Sequence, residues 1–157
     1  MKEQIFTILN ELEIEYQNYE HAPTFTCDEA KWVDVPWVRV KNLLLRNKKK
    51  DAFYMVVLAD EKKLDSGIIR KFFWESKVSF ASEELMVEKI WVKPWHVSPF
   101  ALLNNSENDI QVVFDTDLQN KKIWIHPGQN DNTTVVWVND IEKFILNIGN
   151  KYTFIEL

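Results

Sequence analysis

The run Ala52–Ala59, AFYMVVLA, is almost wholly apolar. A strand without a polar face needs cover on both sides, so this run predicts the central strand of a sheet. Residues 41–47 predict its partner, joined to it through the turn Lys48-Lys49-Lys50-Asp51. Around this pair, Ile5, Ile8, Leu9 and Leu12 recur at helical spacing and predict an amphipathic helix over 2–12. Alternation over 14–19 predicts a strand, and residues 28–32 a short helix capped by Thr26 or Asp28. Asp65 opens a helix to about Trp74, with Ile68, Ile69, Phe72 and Phe73 on its buried side. Ser82-Glu83-Glu84 is an N-terminal cap signature for a helix reaching about Ile90. Pro94 stops any helix there, so Trp95 to Pro99 are expected as a loop. Strands follow at 110–115, 122–126 and 133–138. Asn139 or Asp140 caps a last helix carrying Ile141, Phe144, Ile145 and Ile148 on one face, Gly149 ends it, and a strand over 152–155 closes the chain. The order does not alternate as βαβ units. It predicts one α+β domain over residues 1–157, a mixed and partly barrel-like sheet with surrounding helices.

Several function classes fall away at once. Gly67, Gly128 and Gly149 are the only glycines and none are neighbours, which excludes a Walker-type phosphate loop and a dinucleotide fingerprint. One cysteine, Cys27, rules out an internal disulfide, fits a reducing compartment, and reads better as a small core residue than as a nucleophile. A single Cys with three scattered His gives no zinc-ligand spacing, so no metal or cofactor is expected. The first residues, MKEQIFTILNELEIEYQ, are amphipathic and acidic, unlike a signal peptide, and no apolar stretch approaches the ~18 residues of a membrane span. The expected location is the cytoplasm.

The net charge is −5, but residues 39–50 hold six basic side chains and no acid: Arg39, Lys41, Arg46, Lys48, Lys49 and Lys50. Such a patch on an acidic body suits one local phosphate contact or, equally, a solvated hairpin tip. No Arg-rich helix suited to groove reading is evident, so DNA is not an expected partner. Lys41 stands among large apolar residues, where an ammonium can orient an anion or simply reach solvent from an edge strand. His21 and His126 each follow a strand and precede a proline-containing turn, a position from which side chains project into clefts as well as into structural hydrogen bonds. His96, in the Pro94–Pro99 stretch, is expected to face water. Ser79, Ser82 and Ser98 lack the context of a nucleophile elbow. Trp91, Trp95, Trp124 and Trp137 suit base stacking or a core.

Five segments occur in order: YEHAPTFTCDEA at 19–30, VKNLLLRNKKKDAFYMVVL at 40–58, VSFASEELM at 78–86, VKPWHVSPFALLN at 92–104 and IHPGQNDNTTVVW at 125–137. Together they resemble the YbaK/ProX aminoacyl-tRNA editing domain family, which includes the bacterial YbaK deacylases and the insertion domain of bacterial prolyl-tRNA synthetase. The resemblance runs from about residue 16 to the end and is nearest to the freestanding prolyl-tRNA editing proteins. It implies the editing-domain fold and hydrolysis of mischarged tRNA(Pro), in particular Ala-tRNA(Pro). Lys41 corresponds to the family's essential lysine, Asn42 to an asparagine of the alanine-specific branch, and His126 to a histidine shaping the amino-acid pocket. The family's glycine-x-x-x-proline loop reads Trp95-His96-Val97-Ser98-Pro99 here, with Pro99 kept and Trp95 in place of the glycine.

The resemblance thus implies Lys41 as the catalytic residue, with Asn42, His126, Trp95, Val97, Ser98, Pro99 and His21 around the substrate. Arg39, Arg46, Lys48, Lys49 and Lys50 would meet the tRNA. Hydrolysis needs donors where the tetrahedral oxyanion develops, and the backbone N–H groups of the 95–99 loop are the expected source. Three readings stay open at this point: editing of alanine, the same reaction on Ser-, Thr- or Cys-charged tRNA, and a non-catalytic module binding tRNA or a synthetase.

Overall fold

The computed structural model describes residues 1–23, 37–128 and 131–157. Its sheet is mixed and eight-stranded: β1 (Gln17–Glu20), β2 (Val38–Asn47), β3 (Phe53–Ala59), β4 (Val78–Phe80), β5 (Ile110–Asp115), β6 (Lys122–Ile125), β7 (Asn132–Trp137) and β8 (Lys151–Ile155). The spatial order is β1-β7-β6-β2-β3-β5-β8, with β4 added against β2. Among the described residues four α-helices flank it: α1 (Lys2–Glu11), α2 (Ser66–Phe72), α3 (Glu83–Ile90) and α4 (Val138–Asn147).

As its composition requires, β3 lies inside the sheet. It pairs antiparallel with β2 and parallel with β5, and from Phe53 to Leu58 every residue is buried. Its alternate side chains feed two cores. Phe53, Met55 and Val57 join the larger one, with Ile5 and Leu9 of α1, Ile90 of α3 and Ile141, Phe144 and Ile145 of α4. Tyr54, Val56 and Leu58 join Ile69 of α2 on the opposite face. On that second face, over β1, β6 and β7, lies a small cluster of Trp124, Val135 and Tyr19.

β2 governs the site. One edge pairs with β3 from Val40 to Arg46. The other edge changes partner: Val38 and Arg39 pair in parallel with Ile123 and Trp124 of β6, whereas Leu45 to Asn47 pair with β4. The Leu44 carbonyl accepts from Ala81 N–H at 2.8 Å, just beyond β4. Between these contacts, residues 40–43 carry no strand partner on that edge among the described residues.

Local signals explain the helix starts. Asp65 accepts from Gly67 N–H and Ser82 from Leu85 N–H, each satisfying an otherwise orphaned donor. Gly149, at φ +92°, takes the left-handed turn after α4. Several expectations need correction. α4 begins at Val138 without a side-chain cap, so neither Asn139 nor Asp140 caps it. Phe72 is half exposed because α2 is short and seats itself on Ile69. Residues 94–99 are not a plain loop: Pro94–His96 form one 3-10 turn and Pro99 opens another, to Asn104. β1 starts only at Gln17, with Ile14 turned into the core ahead of it. The helix expected at 28–32, its caps Thr26 and Asp28, and Cys27 lie outside the described residues.

Phe144 is fully buried and packs edge-on against Phe100, with ring centroids 5.2 Å apart. Phe144→Ala is expected to cost about 3–5 kcal/mol in urea unfolding. Phe72→Ala is expected to stay within about 0.5 kcal/mol.

Candidate active site

Alternation along β2 sets the first geometry. Asn42 lies on the same face as Val40 and Leu44, toward the larger core. Lys41 lies on the opposite face, between Arg39 and Leu43. Both stand in the stretch of β2 that has lost β6 and not yet gained β4. The neighbouring strand ends beside them: Arg39 opposes Trp124, and His126 follows Trp124 by two residues, as Lys41 follows Arg39. Lys41 and His126 each stand two residues past the last β2–β6 pair, Arg39–Trp124.

His126 is held firmly. Its Nδ1 donates to the Asn132 carbonyl at 3.0 Å, which leaves Nε2 of the neutral ring as an acceptor. Burial pushes its pKa below the ordinary histidine value, and the nearby His21 and His96 push the same way; the Asn132 bond and Asp131 oppose them. The three histidines, scattered in sequence, therefore gather at one end of β6. His21 bonds Thr133 Oγ1 through Nε2 at 2.7 Å and the Ala22 carbonyl through Nδ1 at 2.8 Å. A carbonyl only accepts, so Nδ1 is the donor to Ala22.

The 94–99 segment is tied to the same place. Ser98 is fully buried, and its hydroxyl donates to the His126 carbonyl at 2.9 Å. The Ser98 side chain thus braces His126. Val97 is built into the larger core, and Pro99 is buried at the start of its 3-10 turn. His96 is partly exposed, but its Nε2 is buried and finds no hydrogen-bond partner among the described residues. Trp95 holds an ordinary negative φ within the Pro94–His96 turn, with its ring beside His96 and the Lys93 ammonium. The glycine-to-tryptophan change therefore demands no left-handed backbone here. The backbone donors are fewer than expected. Two are already engaged: His96 N–H is bound to the Lys93 carbonyl and Val97 N–H to that of Pro94.

Buried polar atoms without partners are rare and tend to mark functional sites. Three occur among the described residues, on Asn42, His96 and Trp124, all around the place just described. Arg39 lies 5.2 Å above the Trp124 ring, so it is engaged inside the sheet face. Arg46 is half buried and donates to the Asn47 carbonyl, while Lys48, Lys49 and Lys50 stand exposed at the β2–β3 tip. Sequence reasoning missed Asn132 and Thr133, which orient His126 and His21. Both fall inside the IHPGQNDNTTVVW segment, but nothing in that string says which histidine each would meet.

The sequence and the fold match a known class. The model of the aminoacyl-tRNA editing domain matches residues 21–144, and the chain belongs to that family. It is 35% identical over 159 residues to the prolyl-tRNA editing protein ProX of Acetoanaerobium sticklandii, with 99% of this chain and 97% of that protein covered. It is 27% identical over 150 residues to the prolyl-tRNA synthetase associated domain-containing protein 1 of Danio rerio, covering 92% of this chain and 81% of that protein. Solved structures share the fold: a hypothetical protein at TM-score 0.74 and 19% identity, covering 95% of this chain and 96% of that one. A proposed trans-editing enzyme for prolyl tRNA synthetase follows at TM-score 0.71 and 17% identity, covering 98% and 96%. Among the described residues no helix is long and apolar enough to cross a membrane, and no cluster of His, Cys, Asp or Glu is placed to hold a metal.

The depressed pKa of His126 has a sign that can be tested. As pH falls below about 6.5, the unfolded chain takes up a proton that the folded chain refuses. The stability that neutral His126 confers is full above that pH and is lost toward its lower folded value. The denaturation midpoint is expected to fall from about pH 7.5 to about pH 5 more steeply in the native protein than in His126→Gln.

Proposed function

We propose that this protein is a trans-editing deacylase for mischarged tRNA(Pro), with Ala-tRNA(Pro) as its substrate. The observation that carries the reading is that Lys41 and Asn42 stand in the stretch of β2 between its β6 and β4 ladders, open on that edge among the described residues, past the last pair with the strand that leads to His126. Membership of the editing family and the likeness to ProX support it.

The need for such an enzyme is physical. A synthetase pocket built for proline gains only about 1–3 kcal/mol per missing methylene against a smaller amino acid. A second site too small for proline can remove the error. In the reaction a water attacks the ester carbonyl carbon. The tetrahedral oxyanion then collapses, the bond to the ribose oxygen breaks, and alanine leaves a tRNA with a free terminal hydroxyl. Lys41 supplies positive charge to the ester oxygen or the terminal phosphate, and a backbone N–H of the 95–99 loop supplies a donor for the oxyanion. The terminal ribose hydroxyl assists the attacking water. Asn42, His96 and His126 bound the space for the amino acid, and the fixed ring of His126 limits its size. The exposed Lys48–Lys50 tip lies about 20 Å along β2 from Lys41 and meets acceptor-stem phosphates.

Single-turnover deacylation of Ala-, Ser-, Cys- and Pro-tRNA(Pro) tests the assignment. Ala-tRNA(Pro) is expected to be cleaved fastest and Pro-tRNA(Pro) to survive. Lys41→Ala is expected to lower the rate on alanine by roughly 10²-fold or more, the scale of one lost transition-state contact. Near-native rates would remove Lys41 from the mechanism, and no cleavage of any ester by the native protein would leave only a binding role. Replacing Lys48, Lys49 and Lys50 together by alanine is expected to raise KM and flatten its salt dependence, with kcat retained.

A further inference from the structure

Lys41 lies on the face of the sheet opposite the larger core, and that face continues beyond the catalytic end. Lys122 opposes Trp137 across β6 and β7. Its ammonium lies 4.9 Å from the ring centroid of Trp37 and 5.2 Å from that of Trp137. Three separate segments therefore converge on one cation held between two indoles. Neither ring is buried by the contact: Trp37 is 54% exposed and Trp137 38%. Trp37 is held at φ +83°, a left-handed conformation that costs a bulky residue energy. One pair further along the same face, Arg39 lies over Trp124, and Lys41 follows. Cations and indoles thus interleave from the open rim to the catalytic lysine, with about 13 Å of strand between Trp37 and Lys41. A groove of about 580 Å³ borders the rim at Lys122 and Trp137.

We infer that this rim is a stacking platform for the unpaired 3′ nucleotides of the tRNA, guiding the charged end along the sheet face to Lys41. The inference rests on the proposed editing role for its direction of travel, though the binding itself does not require an ester. Single-stranded nucleic acid is the occupant that the chemistry fits. Every base offers a flat face to an exposed indole, and each phosphate offers an anion to the interleaved lysine or arginine. An acidic peptide would use the cations and leave the indole faces unused. At the β2–β3 tip Lys48 and Lys49 share a hollow with the exposed Trp74 but also with Asp51 and Glu75, so the charge there is mixed.

The test uses the full chain and a fluorescently labelled short single-stranded RNA ending in CCA, followed by anisotropy, with no amino acid attached. Trp37→Ala and Trp137→Ala are each expected to weaken binding at least fivefold. Lys122→Gln is expected to weaken it and reduce the salt slope by about 0.7, the contribution of one phosphate on a single strand. Trp91→Ala removes another exposed indole, outside this cluster, and is expected to leave binding unchanged. Thermal melts establish that each variant is folded; Trp37→Phe, which keeps a flat ring, is expected to retain most of the affinity. Native-like RNA binding by folded Trp37→Ala, Trp137→Ala and Lys122→Gln would overturn the inference, as would poly-glutamate binding that shows their sensitivity while the RNA shows none. The two readings fail separately. Tryptophan-dependent RNA binding without deacylation sinks the enzyme and keeps the platform. Deacylation with unaltered KM in these variants keeps the enzyme and sinks the platform.

Discussion

The structure depends on one strand serving two neighbours in succession. β2 stays bonded to β3 along one edge, while its other edge passes from β6 to β4. A strand inside a sheet normally has its backbone groups used on both sides. Here the handover leaves residues 40–43 outside either ladder on one side, and Lys41 and Asn42 fall within that interval. The rigid, buried β3 behind them makes the placement precise, because a strand locked along one edge cannot drift when the other is interrupted. The end of β6 is tied to the 94–99 segment by the bond from the Ser98 hydroxyl to the His126 carbonyl.

This arrangement accounts for the division of labour among side chains. Successive residues of a strand face opposite ways, so Lys41 and Asn42 cannot share a face. The charged residue opens onto the side bearing Arg39 and Trp124, which suits an approaching polyanion. The neutral amide points toward the core side, where its oxygen lacks a partner among the described residues. The ring of His126 is held by its bond to the Asn132 carbonyl, and burial keeps its pKa low, which is the stiff wall that the proposed selection by size requires.

How far the sequence revealed this differs by kind of feature. Local signals were legible: Asp65 and Ser82 cap helices as their spacing implies, and the apolar run at 52–59 is the interior strand. The resemblance singled out Lys41, Asn42 and His126, but not the pairing of β2 with β6 that sets where each stands. What stayed hidden depends on pairing between distant segments. β4 has only three residues, too few for a period-two pattern, yet it defines one border of the interval. Phe72 reads as buried from its spacing, but a helix of seven residues anchors on one point and leaves that ring half exposed. The histidines at 21, 96 and 126 show no motif spacing because a strand end, a 3-10 turn and another strand end bring them together. Lys122 gives no sign in sequence of the two indoles that enclose it.

The most direct test is a backbone amide NMR titration of the protein with a non-hydrolysable amide analogue of 3′-alanyl-adenosine. If the interval in β2 receives the charged end, the largest shifts will fall on Lys41, Asn42, Ser98 and His126. Shifts confined to the β2–β3 tip, with those four residues unmoved, would contradict the account.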